Sequence, residues 1–109
     1  MGPDTDERLI ARIAQGDKLA MQALYARHNV RVFRFILRLM RNQTAAEDVL
    51  SEVFLDVWRQ AGRFQARSEV TTWMLSIARF KALSALRRRV DAQLDDEAQE
   101  AAPDDADDP

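Results

Sequence analysis

The chain has 109 residues, with 16 Lys plus Arg, 18 Asp plus Glu, one His, no Cys, 3 Gly and 3 Pro, so one small domain is expected and a second independent core is excluded. Without cysteine there is no disulfide scaffold or thiolate zinc site, and His28 alone cannot build a histidine-rich metal site or a Ser-His pair, so neither metal nor cofactor is expected. Apolar runs of three or four residues broken by arginines, and an acidic start at Asp4, Asp6 and Glu7, give no membrane span and no secretory signal, which points to a cytoplasmic protein.

The net charge of -2 hides a division: residues 1–90 hold 16 basic and 9 acidic residues, a balance of +7, whereas residues 91–109 hold 9 acidic residues and no basic one, a balance of -9. A basic body calls for a polyanion or an acidic surface as partner, and a block of like charge with Pro103 and Pro109 reads as a solvated tail or linker. The domain is therefore expected to span residues 1–90, with residues 91–109 a disordered acidic linker or tail.

Scarce Gly and Pro and the lack of any cleanly alternating segment predict an all-α bundle of about four helices. The first runs from about Thr5 to Ala14 with Leu9, Ile10 and Ile13 on one side, and ends at Gly16, which can take the left-handed conformation. Asp17 caps the second, about Asp17 to Arg41, whose core face carries Met21, Leu24, Tyr25, His28, Val32, Phe35, Ile36 and Leu39. Beside that face Arg27, Arg31, Arg34, Arg38 and Arg41 form a ridge. A third side shows Val30, Phe33 and Leu37, which must either pack internally or be offered to a partner. His28, inside the apolar stripe, reads as structural.

Thr44 and Glu47 have the spacing of a capping box at the start of the third helix, which shows Leu50, Val53, Phe54, Val57, Trp58 and Ala61 as its core face and ends at Gly62. Residues 63–70 read as a loop, with Ser68 capping a fourth helix that runs to about Val90. In that helix Met74, Ile77, Ala78, Ala82 and Ala85 make one core stripe, while Trp73, Phe80, Ser84 and Arg87 fall on another side.

Two constellations stand out. Asp48, Glu52 and Asp56 repeat every four residues on the outward side of the third helix, with Leu55 and Arg59 among them. Such carboxylates are commonly a solvated face, but an apolar side chain centred in an acidic stripe has the make-up of a protein interface. The loop and fourth helix interleave Arg63, Phe64, Gln65, Arg67, Ser68 and Trp73 with Arg79, Phe80, Lys81, Arg87, Arg88 and Arg89. Aromatics that stack on bases beside cations that follow phosphates suit single-stranded nucleic acid. Trp73 is open to the alternative of core packing.

The stretches GDKLAMQALYARHNVRVFRF (16–35), AAEDVLSEVFLDVW (45–58), and the run from Phe64 through TTWMLSIAR (71–79) to LRRR (86–89) closely resemble the second conserved region of bacterial sigma factors of the extracytoplasmic function group. The resemblance covers nearly all of residues 8–90. It implies transcription initiation: the third helix docks on the β′ clamp of RNA polymerase, and the loop and fourth helix capture and melt the promoter -10 element on its non-template strand. By this resemblance clamp contact falls to Asp48, Ser51, Glu52, Leu55 and Asp56. Promoter contact falls to Arg63, Phe64, Gln65, Ala66, Arg67, Ser68, Arg79, Phe80, Lys81, Arg87 and Arg88, and the resemblance implies that residues 63–68 with Phe80 form the pocket for an unstacked base. An anti-sigma factor is the implied partner of Val30, Phe33 and Leu37, and the domain is expected to be a monomer. Ser51 stands where the family commonly has Gln, Phe80 where it has Asn and Ser84 where it has Asp; Phe80 can stack on a base but cannot make an amide's hydrogen bonds.

No residues here form the family's second, helix-turn-helix domain for the -35 element. The chain is read as a fragment: the second-region domain plus the start of an interdomain linker, with Met1, Gly2 and Pro3 as expression residues. The alternative from another class is a helical module that binds protein alone, against which the interleaved aromatics argue. No nucleophile-base pair supports an enzyme, and initiation asks no chemistry of the sigma subunit.

Overall fold

The computed structural model describes residues 4–107, with side chains to residue 99. Its elements are α1 (Asp6–Ile13), α2 (Lys18–Met40), α3 (Gln43–Gln60), a 3-10 turn (Ala61–Arg63) and α4 (Val70–Asp107), with no strand among the described residues. The expected all-α bundle is what the chain forms. The expectation for Met1, Gly2 and Pro3 lies outside the described residues.

Local chemistry sets most boundaries. The Thr5 hydroxyl accepts from the Arg8 amide at 3.2 Å, and Asp6 and Glu7 in the first turn with Arg12 in the last complement the α1 dipole. Gly16 takes φ +88°, and the Asp17 carboxylate then accepts from the amides of Leu19 and Ala20 at 3.0 and 3.1 Å to start α2. At the far end of α2, Arg41 turns left-handed at φ 54°.

Three boundaries differ from the sequence-based expectation. Asn42, not Thr44, caps α3: its side chain accepts from the Ala45 amide at 2.9 Å. The left-handed turn at Arg41 places Asn42 at the cap, so Thr44 already lies inside the first turn and Glu47 accepts from Gln43 Nε2 at 3.3 Å instead. The Ser68 hydroxyl donates to the Glu69 carbonyl, and because the Trp73 amide bonds that same carbonyl at 3.0 Å, Glu69 and not Ser68 occupies the cap position of α4. Finally, α4 runs on past Val90 to Asp107. Residues 91–102 contain no glycine or proline and include four Ala, two Gln and two Glu, so no breaker meets the helix before Pro103. From Arg87 to Gln99 every side chain is exposed, so this extension has left the bundle.

The core joins Leu9, Ile10 and Ile13 of α1 to a buried row on α2 (Ala20, Leu24, His28, Val32, Ile36, Met40), to Val49, Val53, Phe54 and Val57 of α3, and to Val70, Met74, Ala78, Ala82 and Ala85 of α4. Tyr25, expected in that core, is 43% exposed and meets Phe54 edge-on with ring centroids 4.8 Å apart.

Asp6 locks α1 to α2. Its carboxylate accepts from His28 Nε2 at 2.9 Å and from Arg27 Nη1 at 2.7 Å. Partial burial would raise the Asp6 pKa, but the hydrogen bonds and charges of His28 and Arg27 outweigh it and hold the group below the ordinary 3.8. A depressed carboxyl stabilises fully above its unfolded pKa, and that stability is lost as pH falls through the folded value. Asp6→Ala, which leaves the buried His28 unpaired, is expected to cost about 1–3 kcal/mol in urea titrations near neutrality. The gap between Asp6→Asn and native protein should narrow as pH drops below about 4; a gap independent of pH would exclude the ionised Asp6 as the lock. For α4, hydrogen exchange should show amides 74–85 protected and amides 91–99 exchanging nearly freely, because the extension buries nothing.

Candidate functional site

The outward side of α3 presents Asp48, Ser51, Glu52, Leu55 and Arg59, all exposed, with Leu55 at 47%. Asp56 does not belong with them. A four-residue step overshoots a helical turn by about 40°, so the row from Asp48 through Glu52 to Asp56 winds about 80° toward α4. There Asp56 accepts from Gln60 Nε2 at 3.2 Å and pairs with Lys81 Nζ at 3.3 Å. The expected outward stripe therefore holds for Asp48, Glu52 and Leu55 and fails for Asp56. The same pairing ties up Lys81. A cleft along the α3–α4 seam brings Asp48, Ser51 and Glu52 to the same walls as Arg88 and Arg89, over Met40 and Ala85, so the acidic and basic constellations meet at one border.

The connection from α3 to α4 leaves the helix through the 3-10 turn, which carries Arg63. Phe64 then folds back onto Trp73, ring centroids 5.1 Å apart and tilted by 55°. Both rings are half-buried, so Trp73 neither disappears into the core nor stands free. Arg63, Gln65, Ala66, Arg67 and Ser68 are exposed, and Ala66 takes the left-handed φ of 55°. A non-glycine residue there costs about 1 kcal/mol, so the surrounding packing imposes the loop's shape.

Behind the loop lies a recess with α1 as its other wall: Glu7, Ala11 and Gln15 face Gly62, Phe64 and Ala66. Phe80, 70% exposed on α4, does not line this recess, so the pocket expected from residues 63–68 and Phe80 is divided into two surfaces. Reasoning from the sequence missed the α1 wall. Its signal was present in Ala11 and Ala14 at helical spacing, since small residues on a short helix allow a neighbouring chain to approach closely. Arg79, Phe80, Arg87 and Arg88 are exposed along α4.

On α2, Arg27 is engaged by Asp6, whereas Arg31, Arg34, Arg38 and Arg41 are exposed. Val30 is 55% exposed, while Phe33 and Leu37 are half-buried against the core. With Leu50 of α3 they line a groove rimmed by Arg34 and Glu47. Among the described residues no cluster of His, Cys, Asp and Glu could hold a metal, and no helix is long and apolar enough to cross a membrane.

Comparison with known proteins places this geometry. The family model Sigma-70 region 2 matches residues 24–92, and the chain belongs to that family. It is 40% identical over 102 residues to RNA polymerase sigma factor CarQ of Myxococcus xanthus, covering 88% of this chain and 59% of that protein. It is 29% identical over 82 residues to ECF RNA polymerase sigma factor SigK of Mycobacterium tuberculosis, covering 74% of this chain and 44% of that one. The chain thus spans roughly half the length of these curated relatives. Among solved structures, an engineered region 2 of sigmaE in complex with GTAAAA, determined by NMR, superposes with a TM-score of 0.74 at 27% identity, covering 82% of this chain and 94% of that one.

The Phe64–Trp73 ring contact anchors the loop to α4. Phe64→Ala should destabilise the domain by about 1–3 kcal/mol and raise hydrogen exchange through residues 63–69 ahead of the helices. Unchanged exchange in the loop would mean that the ring pair does not hold it.

Proposed function

We propose that the chain is the second-region domain of a sigma factor of the extracytoplasmic function group. It acts in transcription initiation by docking on the β′ clamp of RNA polymerase and capturing the non-template strand of the promoter -10 element. The observation that carries this reading is the coexistence, on one bundle, of an acidic helix face with an exposed apolar centre at Leu55 and of a loop and helix that interleave cations with Phe64 and Phe80. The family match spans both, the name of the SigK relative includes the group, and the engineered sigmaE region 2 was solved in complex with GTAAAA.

In this reading α3 meets the clamp through Asp48, Ser51, Glu52 and Leu55, the carboxylates selecting a basic surface and Leu55 supplying the buried anchor. Asp56 acts from the border. Arg63, Gln65, Arg67, Arg79, Arg87 and Arg88 follow the strand's phosphates, and Phe80 stacks on an exposed base. The groove at Val30, Phe33 and Leu37 is the face for an anti-sigma factor. The domain works as a cytoplasmic monomer, and residues 91–109 form the linker to a further domain. It performs no catalysis, since the polymerase supplies the chemistry.

The direct test mixes the domain with core polymerase and a fluorescent -10 non-template oligonucleotide, each component omitted in turn; binding to neither partner refutes the reading. Within it, Leu55→Asp should keep a native circular dichroism spectrum and lose about 1–3 kcal/mol of affinity for core polymerase. Asp56→Asn should free Lys81, raising oligonucleotide affinity at low salt and steepening the salt dependence by about one phosphate contact. If Asp56→Asn leaves both affinity and salt slope unchanged, Lys81 takes no part in strand binding.

A further inference from the structure

We infer that the free chain pairs with a second copy of itself along α4, the two helices running antiparallel, and that this pairing covers the helix surface assigned above to the promoter strand. The pairing stands on the geometry of α4 alone, while its effect on strand capture rests on the reading of the domain as a binder of the -10 element. The single copy is the working form and the pair is the idle one.

The large apolar side chains that α4 leaves in water are Phe80, Leu83, Val90 and Leu94. With Arg87 and Glu97, both exposed, they form a row at alternating steps of three and four. Such a row drifts only about 20° around the helix in seven residues, so it makes a narrow stripe of the kind by which helices pair. At 100° per residue, the stripe lies roughly opposite the buried row of Val70, Met74, Ala78, Ala82 and Ala85. Two copies can therefore meet along it with their bundles on the outer sides. Trp73, one heptad before Phe80, is covered by its own Phe64, so the free stripe begins at Phe80. Residues 80–97 make it about 27 Å long. In an antiparallel pair Leu83 meets Leu94 of the second copy, Arg87 lays its stem on Val90, and Phe80 lies on the stem of Glu97.

Charge fixes both the occupant and its direction. Residues 79–89 hold five basic side chains and no acidic one, and residues 91–97 hold four acidic side chains and no basic one. A parallel pair would set like charge on like along the whole seam, whereas an antiparallel pair sets each half against its opposite. The register that joins Leu83 to Leu94 also brings Arg87 to Asp91 and Arg79 to Glu97 of the second copy, on the flanks of the stripe. Twofold symmetry makes each of these contacts twice. Within one copy none of the four forms an ion pair among the described residues. Lys81 is held by Asp56, and Arg88 and Arg89 face the cleft beside α3, so neither enters the seam. A stripe of about two and a half heptads, short of the three or four of a lasting coiled coil, gives a reversible pair. Phe80, Arg79 and Arg87 belong to the strand surface too, so pair and strand compete for the same side chains and each weakens the other by the same factor.

Sedimentation of the full chain at low salt should show its mass rise from the 12.5 kDa of one copy toward twice that value as concentration increases from micromolar to millimolar. Amides 91–97, freely exchanging in the dilute chain, should gain protection in step. Leu94→Gln alters the extension outside the bundle, so the fold is untouched, and it should raise the dissociation constant about tenfold or more. Arg87→Glu and Asp91→Arg should each abolish self-pairing, since each sets like charges together twice. An equal mixture of the two should pair again, because every contact then joins opposite charges. Single variants that pair as the native chain does, or a mixture that does not pair, overturn the antiparallel register. A mass that stays at one copy at every concentration overturns the proposal and leaves the strand-binding reading intact. Labelled GTAAAA should return the paired chain to single copies, and at high protein concentration Leu94→Gln should bind it more tightly than the native chain. Equal binding by paired and single copies overturns the masking. If the single copy binds no strand, the pairing stands and the strand-binding reading falls.

Discussion

The bundle depends on the way one helix winds its buried row. On α2 the buried positions Ala20, Leu24, His28, Val32, Ile36 and Met40 follow one another at steps of four. Each step carries the row about 40° around the helix, so from Ala20 to Met40 the buried side sweeps roughly 200°. No single neighbour can cover such a surface. α1 takes its beginning, and α3 and α4 take the remainder. The arginine ridge alternates steps of four and three and therefore stays on one side while the core turns away from it. Near the start the two run side by side, and Arg27 falls within reach of Asp6; by Arg38 the ridge lies opposite the core, and Arg38 and Arg41 stay in water. One sequence of spacings thus makes both the α1 lock and the exposed cationic edge.

The composition of α4 decides what the surface has to offer. Its buried face is built mainly from Val70, Met74, Ala78, Ala82 and Ala85, and the three alanines let the helix lie close to α2 and α3. Phe80 and Leu83 are turned outward at 70% and 36% exposure, and Val90 and Leu94 continue outward on the extension. Burial of the alanines stabilises the bundle modestly, while the exposed groups remain available to a partner, so the apolar surface of α4 is divided between packing and recognition.

Features governed by a single helical turn were legible from the sequence. The start of α1 near Thr5, the cap at Asp17, the left-handed Gly16, the buried His28 and the core face of α4 all follow from local chemistry and spacings of three or four residues, and all appear in the fold. What escaped depended on something outside the turn. Thr44 and Glu47 had the spacing of a capping box, but the reversal at Arg41 handed the cap to Asn42. Asp56 had the spacing of an outward stripe, but the drift of that stripe delivered it to Lys81 across the seam. The clash of charge at residue 91 signalled the end of the packed body and not the end of the helix, because charge pattern governs solvation whereas helix propensity governs the backbone. The α1 wall escaped because its partner loop is separated from it by α2 and α3, and no local spacing reports such a contact.

The left-handed Ala66 brings these levels together. Its conformation opposes the preference of its own side chain, so the loop holds its shape only because Phe64 is seated on Trp73 behind it and α1 stands against the 3-10 turn. Glycine would relieve the strain, but it would also widen the range of shapes open to the loop when the anchors loosen, through the greater freedom of its backbone. Alanine allows fewer alternatives. A loop already fixed in one shape loses little further freedom on binding, so more of the contact energy appears as affinity. By the same reasoning α1 is more than a cover for the start of α2: the Asp6 lock that docks it also fixes the wall opposite the loop, and the shape of the recess is tied to a salt bridge made by the residue next to Glu7 on the same short helix.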